Sequence, residues 1–150
     1  MIEKLQNTDL ATAEKMKAVF QVSYAIEAKL LNAVDFPPLK RQLEGYTECA
    51  NDFFGFMVND QIAGVIEIDE KETAMHIQSL VVDPQFFRRG IAKKLIEHVL
   101  RSSKATLITV ETGSANGPAC ALYKKNGFKE IKHYDTDHGI RKVCFEMRRD

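Results

Sequence analysis

The residue types with the clearest chemical capacity lie between residues 76 and 100, where the pattern predicts a strand ending before Pro84, a loop and a helix. The loop carries Arg88 and Arg89, and Gly90 lets the backbone come close to a ligand. A helix start presents free N–H groups and the positive end of a dipole, which attract anions. Two adjacent guanidinium groups strengthen that attraction, so we expect a pyrophosphate here. The spacings of a Walker A loop and of a Gly-x-Gly-x-x-Gly dinucleotide loop are both absent.

A second informative segment runs from Asn116 to Phe128. Its pattern predicts a short helix over 118–125 that ends at Asn126-Gly127. Asn116 is well placed to cap this helix. Asn116 and Tyr123 are seven residues apart, which is nearly two helical turns, so their side chains should point to the same side.

These two segments together resemble the GNAT superfamily of acyl-CoA-dependent N-acetyltransferases. The family's pyrophosphate loop follows a Val-x-Pro strand end and reads Gln/Arg-x-x-Gly-x-Gly/Ala. Residues 87–92 read Phe-Arg-Arg-Gly-Ile-Ala, so Phe87 stands where Gln or Arg is usual. The second segment is similar to the family's Asn-x-x-Ala-x-x-x-Tyr-x-x-x-Gly-Phe block. The resemblance is specific from about residue 76 to residue 128.

The resemblance implies that acetyl-CoA is the cosubstrate and lies between the fourth and fifth strands. Backbone groups of the fourth strand would contact the pantetheine arm and the acetyl oxygen, the loop and helix start would hold the pyrophosphate, and the second block would contact the arm. The implied cofactor-binding residues are Leu80, Val81, Val82, Arg88, Arg89, Gly90, Ile91, Ala92, Lys93, Asn116 and Tyr123.

The resemblance also implies that Tyr123 is a general acid, which protonates the departing CoA thiolate; the alternative is a packed aromatic residue. An alkylammonium titrates near 10.4 and must lose a proton before it can attack. His76 and Glu111 lie where family members place a base or a water-holding group. Strict alternation along its strand would put His76 on the same face as Gln78 and Leu80. Each is also compatible with an ordinary surface residue, so His76, Glu111 and water all stay open as the proton acceptor. Cys120 is disfavoured as an acyl-carrying nucleophile, because the family transfers the acetyl group directly.

The hydrophobic pattern predicts the elements that must position these residues. A first strand covers 1–6, a long helix follows Asn7–Asp9, and Pro38 opens a second short helix through Tyr46. Strands are expected at 53–58, 62–68, 73–82, 105–112, 128–135 and 141–148, with a helix at 90–102. The apolar stripe of the long helix is predicted to contain Leu10, Ala13, Met16, Val19, Phe20, Ala25, Ile26, Leu30 and Leu31.

This order of elements is typical of an α/β fold. It predicts a mixed sheet of about seven strands with helices on both faces. The resemblance implies the GNAT fold, in which the twisted sheet is mostly antiparallel. With 150 residues, 45% of them hydrophobic and 28% charged, the chain is expected to form a single domain over 1–150.

The charge balance argues against a general nucleic-acid binder, since 21 basic residues face 21 acidic ones and the net charge is zero. The charges within the first ten residues leave no room for a signal peptide, and no apolar run reaches the roughly 20 residues of a membrane span. Three widely spaced cysteines are expected to be reduced thiols. We therefore expect a cytoplasmic protein without membrane partners, with a homodimer left open. His133 and His138 lack a metal-ligand spacing, so no metal is expected.

The expected function is transfer of an acetyl group from acetyl-CoA to a primary amine of a small molecule, a peptide or a protein. The alternative is a noncatalytic acyl-CoA-binding regulatory domain of the same fold, which Phe87 favours and Tyr123 disfavours. Glu67, Asp69, Glu70 and Glu72 form an acidic run beside the expected amine entrance. We interpret this run as a solvated hairpin tip.

Overall fold

The computed structural model describes residues 1–150, and its backbone is organised around one seven-stranded sheet. The strand order is β1-β2-β3-β4-β5-β7-β6, and every neighbouring pair is antiparallel except β4 and β5. The predicted mixed, mostly antiparallel sheet is therefore confirmed. The strands are β1 (Ile2–Leu5), β2 (Asp52–Val58), β3 (Gln61–Glu70), β4 (Ala74–Val82), β5 (Leu107–Gly113), β6 (Lys129–Asp135) and β7 (Arg141–Arg148).

Four α-helices accompany the sheet: α1 (Leu10–Leu30), α2 (Glu44–Thr47), α3 (Ile91–Ser102) and α4 (Gly117–Lys125). The Asp9 carboxylate caps α1 by accepting a hydrogen bond from the Thr12 backbone N–H at 3.1 Å. The Asn116 amide oxygen caps α4 in the same way, from the Ala119 N–H at 3.2 Å, as predicted. None of the helices combines the length and the apolar character that crossing a membrane requires.

The segment after α1 differs from the prediction of one helix from Pro38 to Tyr46. It forms a 3-10 turn at Pro37–Lys40 and the separate helix α2. Between them Arg41 has an extended backbone, with φ −62° and ψ 122°. Its guanidinium donates to the Gly45 carbonyl at 2.8 Å and to the Glu67 carboxylate at 2.7 Å. These anchors hold the chain off a helical path, so the prediction of a continuous helix was wrong.

The helices lie on both faces of the sheet, as predicted, and form a core on each. Helices α1 and α2 pack against β2, β3 and the end of β4 around Phe20, Tyr46 and Phe53. Helices α3 and α4 lie on the opposite face, where Leu95, Tyr123 and strand residues form the larger core. The site residues predicted on α4 therefore project from a helix that is itself fixed by apolar packing.

The apolar stripe predicted for α1 is fully buried only in its middle part. Ala13, Met16, Val19 and Phe20 are buried, but Leu30 is 47% exposed, and Leu10 and Ala25 are exposed as well. Beyond Phe20 the sheet-facing positions are taken by residues that line a cavity, among them Tyr24 and Glu27. A polar stripe on a helix face escapes a search for apolar periodicity.

Strands β4 and β5 pair with each other over only four residue pairs, from Ala74 with Leu107 to Ile77 with Val110. Beyond that point β4 continues to Val82 and β5 to Gly113 without pairing to each other. Their facing edges form an open wedge between the two halves of the sheet. Parallel strands need a crossover connection, and α3 provides it here.

A β-bulge shifts the register of β4 close to this wedge. Glu67 of β3 pairs with Ser79, whereas the next residue, Ile68, pairs with Ile77. Gln78 is therefore an extra residue on β4 that no residue of β3 opposes.

The extra residue changes which side chains of β4 share a face. Ile77 and Leu80 both contact the core beneath α3, although they are three positions apart. Adjacent residues of a strand face opposite sides, so His76 lies on the face opposite to Ile77. Because Leu80 shares the face of Ile77, His76 also lies opposite to Leu80. The prediction that His76 and Leu80 share a face was wrong, because strict alternation does not allow for a bulge.

Candidate active site

A cavity of about 490 Å³ occupies the wedge between β4 and β5. Its lining comes from α1, from the segment between α1 and β2, from β3, β4, β5 and β7, and from α4. Of the predicted site residues, Leu80, Glu111, Asn116 and Tyr123 line this cavity. The wedge thus joins the two sequence segments that carry the family resemblance.

The α4 wall of the cavity is formed by Asn116 and Tyr123, which point to the same side as predicted. The Tyr123 ring packs against Phe128 and Phe145, with centroids 5.8 and 5.7 Å away. Its hydroxyl has no hydrogen-bond partner in the protein. The hydroxyl oxygen is not fully enclosed by protein atoms, so a ligand in the cavity can contact it. Burial raises the pKa of the Tyr123 phenol, and the negative charge of Glu27 raises it further. The phenol is therefore protonated at neutral pH.

On β5, the Glu111 carboxylate is half-buried at the edge of the cavity. It accepts hydrogen bonds from the Tyr134 hydroxyl and from Cys144 Sγ, the latter at 3.4 Å. Burial alone would raise the pKa of Glu111, but these hydrogen bonds outweigh it and lower the pKa. Glu111 is therefore ionised at neutral pH and can accept a proton.

His76 lies outside the cavity lining, in the paired part of β4. Its Nδ1 is 2.7 Å from the Thr109 hydroxyl oxygen on β5. Because Thr109 and Glu111 are two residues apart on one strand, His76 shares a face with both of them. It is thus a neighbour of Glu111 at the closed end of the wedge. Its assignment as a base stays a prediction.

The predicted pyrophosphate loop does not line the same cavity; it leads into the start of α3. Gly90 has φ +70° and Arg88 has φ +66°, so both occupy the left-handed region that favours glycine. No side chain caps the first N–H groups of α3. Arg88 and Arg89 are exposed, and neither is paired with a carboxylate; the Arg89 guanidinium lies 5.2 Å from the Phe86 ring centroid. These are free donors of the kind that an anion requires.

The remaining predicted contacts around this loop differ in their surroundings. Val81 and Ile91 are buried in the two cores, so only their backbone groups could serve a ligand. Val82 is half-buried beside Leu80, Ala92 is half-buried, and Lys93 is exposed on the first turn of α3. Phe87, which replaces the family's polar residue, is 47% exposed.

A buried ion pair that sequence reasoning missed lies at the base of the cavity. Glu67 is only 1% exposed, which corrects its interpretation as part of a solvated tip. Its Oε1 accepts from Arg41 Nη1 at 2.7 Å, and its Oε2 accepts from Arg41 Nη2 at 3.1 Å and Asn51 Nδ2 at 2.8 Å. Arg41 in turn lies 4.2 Å from the Tyr46 ring centroid. The signal was available, because Glu67 is flanked by Ile66 and Ile68 inside a continuous apolar run.

Two residues of α1 also reach the wedge without having been predicted. The Tyr24 hydroxyl donates to Ser79 Oγ on β4 at 3.1 Å. Glu27 Oε2 accepts from the Thr112 hydroxyl on β5 at 3.3 Å and from Asn116 Nδ2 at 3.1 Å. One helix thus contacts both sides of the opening. The structure contains no group of three or more His, Cys, Asp or Glu side chains arranged to hold a metal ion.

Comparison with known proteins identifies a family that this chain resembles. Residues 22–149 match the family model described as an acetyltransferase (GNAT) domain. The chain is 28% identical over 148 residues to the UPF0157 protein YqkA of Bacillus subtilis, covering 98% of this chain and 43% of that protein. It is 25% identical over 130 residues to the [ribosomal protein bS18]-alanine N-acetyltransferase of Salmonella typhimurium, covering 73% of this chain and 88% of the relative.

Solved structures share the fold. The PaiA N-acetyltransferase of Thermoplasma acidophilum, crystallised in complex with coenzyme A, superimposes with a TM-score of 0.73 at 16% identity, covering 99% of each chain. The chain spans less than half the length of the curated relatives it matches first, 43% of one and 41% of the next.

The ion pair at the base of the cavity generates a prediction about stability. Burial alone would raise the pKa of Glu67, but the hydrogen bonds from Arg41 and Asn51 outweigh it and hold the pKa below its usual range. A lowered folded-state pKa means that the ionised carboxylate stabilises the fold above the unfolded-state pKa and that this contribution is lost as the pH falls through the lowered pKa. We expect Glu67→Gln to cost about 3 kcal/mol at pH 7 in urea denaturation.

The cost should shrink as the pH falls below the unfolded-state pKa of a glutamate, near 4.3, because the unfolded wild-type chain then takes up a proton and the contribution of the charged carboxylate is progressively lost. The exposed Glu48 is the matched control, and Glu48→Gln should change the free energy of unfolding by less than about 0.5 kcal/mol. A cost for Glu67→Gln that does not vary with pH would show that packing, and not the ion pair, is responsible.

Proposed function

The chain belongs to the GNAT acetyltransferase family, and from this premise we propose that it transfers the acetyl group of acetyl-CoA to a primary amine. The observation that carries the proposal is the wedge cavity, which unites an unpaired strand edge, the Asn116 to Phe128 block and an unpartnered Tyr123 hydroxyl. The fold of a coenzyme A complex supports the cosubstrate.

Three features of this chain suit acetyl-CoA. The edge of β4 from Gln78 to Val82 that faces β5 has no strand partner, so its N–H and C=O groups are available to an extended pantetheine arm. The uncapped start of α3 and the unpaired Arg88 and Arg89 suit a pyrophosphate. The alternative of a noncatalytic acyl-CoA-binding domain would use the same features but would leave the Tyr123 hydroxyl in the cavity without a role.

In the proposed reaction the amine nitrogen forms a bond to the thioester carbon, the C–S bond breaks, and the amine loses one proton. The Tyr123 phenol supplies a proton to the departing sulfur. A CoA thiol titrates roughly as cysteine does, near 8.5, and a phenol near 10, so the raised pKa of Tyr123 makes full transfer more unfavourable than in water. The proton is therefore expected to move only as negative charge develops on sulfur.

For the proton of the amine, Glu111 is the better supported of the two side chains, because it lines the cavity and is ionised. His76 would have to act through Glu111 or through water. Glu67 is excluded from this role, because both of its oxygens are already bonded to Arg41 and Asn51.

The acceptor class is open among amines of small molecules, peptides and proteins. A curated relative is named for the alanine of a ribosomal protein, which supports a peptide N-terminus as one candidate. The experiment that tests the proposed function measures thiol release from acetyl-CoA with a panel of amines. The panel contains L-alaninamide, L-methionine, Nα-acetyl-lysine, spermidine, glucosamine and kanamycin. Amine-dependent release supports the proposal, and binding of CoA without any such release favours the noncatalytic alternative.

Loss of the two loop arginines is expected to weaken acetyl-CoA binding. The double variant Arg88→Ala/Arg89→Ala should raise the dissociation constant about tenfold or more in isothermal titration, because exposed charge-assisted contacts to phosphate contribute roughly 1.5 kcal/mol or more together. Arg101→Ala on the far end of α3 removes one exposed positive charge and serves as the control. Equal affinities of the double variant and the wild type would remove the pyrophosphate site from this loop.

Removing the Tyr123 hydroxyl should separate acid catalysis from packing. Tyr123→Phe retains the ring contacts with Phe128 and Phe145, so melting temperature and acetyl-CoA affinity should stay close to the wild type. We expect kcat to fall by about 10²-fold, the lower end of the usual contribution of a general acid. Wild-type turnover by the Phe variant would show that the thiolate leaves without this proton.

The two base candidates can be separated by their pH profiles. Glu111→Gln should lower kcat/KM about tenfold or more at pH values below the pKa of the amine, where proton removal is required. Because hydrogen bonds hold the pKa of Glu111 low, the wild type should show no acid limb from this group above pH 5. His76→Ala should have a smaller effect. If neither variant alters the profile, water takes the proton and both assignments fail.

A further inference from the structure

The three carboxylates that line the wedge cavity have different partners. Glu67 is neutralised by a guanidinium. Glu111 is bonded by Tyr134 and Cys144 and lies near the Lys142 ammonium, which helps to lower its pKa. Glu27 is bonded only by neutral donors and forms no ion pair with any basic side chain. It is therefore the carboxylate of the cavity that lacks a positive partner.

The second oxygen of Glu27 is also free. Both protein hydrogen bonds, from Thr112 and Asn116, go to Oε2. Oε1 accepts no hydrogen bond from the protein. It is not fully enclosed by protein atoms, so a ligand in the cavity can contact it. A half-buried carboxylate with an accessible and unbonded oxygen attracts a cation more strongly than a fully solvated one, because water screens it less.

Glu27 reaches the wedge from the side opposite to α3 and α4. It projects from α1, on the face of the sheet opposite to α3 and α4, yet it contacts Asn116 at the start of α4. Its charge is close enough to Tyr123 to raise the pKa of that phenol. If acetyl-CoA enters from the α3 and α4 side, an amine held at Glu27 approaches the same opening from the α1 side.

We propose that the Glu27 carboxylate binds the ammonium group of the acceptor and positions it in the wedge beside Tyr123. This inference rests on the proposed function and deepens it. It specifies an acceptor that reaches the site as a cation, so the amine must be protonated in solution. The bound ammonium then loses its proton to Glu111 or to water before it attacks.

The variant Glu27→Gln tests the charge without removing the hydrogen bonds. The amide oxygen of Gln can accept from Thr112 and Asn116 as the carboxylate oxygen does, while the negative charge is absent. With the amine that the wild type turns over fastest in the panel, we expect KM for the amine to rise at least tenfold. KM for acetyl-CoA and the melting temperature should stay within twofold and about 2 °C, respectively, of the wild-type values. Glu14→Gln, an exposed change of the same kind on α1, should leave every value unchanged.

A second measurement does not depend on turnover. L-alaninamide hydrochloride added to the wild-type protein with CoA should raise the melting temperature progressively with its concentration, following RT ln(1 + [L]/Kd), and it should not do so with Glu27→Gln. Glu27→Asp retains the charge on a shorter side chain and should recover part of the lost affinity. This variant also separates loss of charge from misfolding, because it changes the local packing more than Gln does.

The outcomes distinguish the two proposals. If the wild type acetylates an amine and Glu27→Gln has the same KM for it, the Glu27 inference is wrong and the proposed function stands. An equal rise in KM for acetyl-CoA, or a loss confined to kcat, also overturns the inference, because Glu27 would then serve the cosubstrate or the chemical step. If the wild type turns over no amine at all, the proposed function fails and the inference fails with it.

Discussion

The limited pairing of β4 with β5 is the constraint on which the site depends. Four residue pairs join these parallel strands, and beyond Ile77 and Val110 they separate within a sheet that otherwise continues. Each strand is still held on its outer side, β4 by β3 and β5 by β7, so the gap lies inside the sheet and not at its edge. The inner edges therefore keep backbone groups that need partners. Helix α1 reaches both sides of the gap through side chains only, Tyr24 to the Ser79 hydroxyl and Glu27 to the Thr112 hydroxyl, so the backbone groups of the inner edges are left to solvent or to a ligand.

Around this gap the protein holds several ionisable groups in different protonation states by giving each a different environment. Glu67 has two cationic hydrogen bonds and an amide, which fix it as a structural anion beneath the cavity. Glu111 has neutral donors that keep it charged, and Tyr123 has an apolar surrounding that keeps it protonated. An acid and a base can coexist in one cavity on these terms. The carboxylate of Glu27, on a different helix, keeps one oxygen free of any protein donor.

The sequence predicted the order of elements, the mixed sheet, and the placement of Asn116 and Tyr123 on one side of α4. These features follow from local periodicity and capping, which a single sequence displays. The apolar neighbours of Glu67 indicate its burial, but the sequence could not predict its partner, because Arg41 is 26 positions away in the chain. Sequence reasoning missed Glu27 because its partners Thr112 and Asn116 lie 85 and 89 positions away. It misplaced the face of His76, since the bulge at Gln78 leaves no mark in composition.

The bulge at Gln78 determines which residues of β4 face the α3 core on each side of it. Upstream of Gln78 the residues that face the α3 core are Met75 and Ile77, and downstream they are Leu80 and Val82. Deleting Gln78 would bring the strand into strict alternation and would turn one of these two pairs away from the core. The part of β4 that borders the wedge would be displaced with that pair. Homologues that have lost a single residue here should therefore carry a compensating change elsewhere in the same strand, whereas length changes in the turn between β3 and β4 should be free of that requirement. The site would thus constrain insertions and deletions in β4 more tightly than it constrains substitutions.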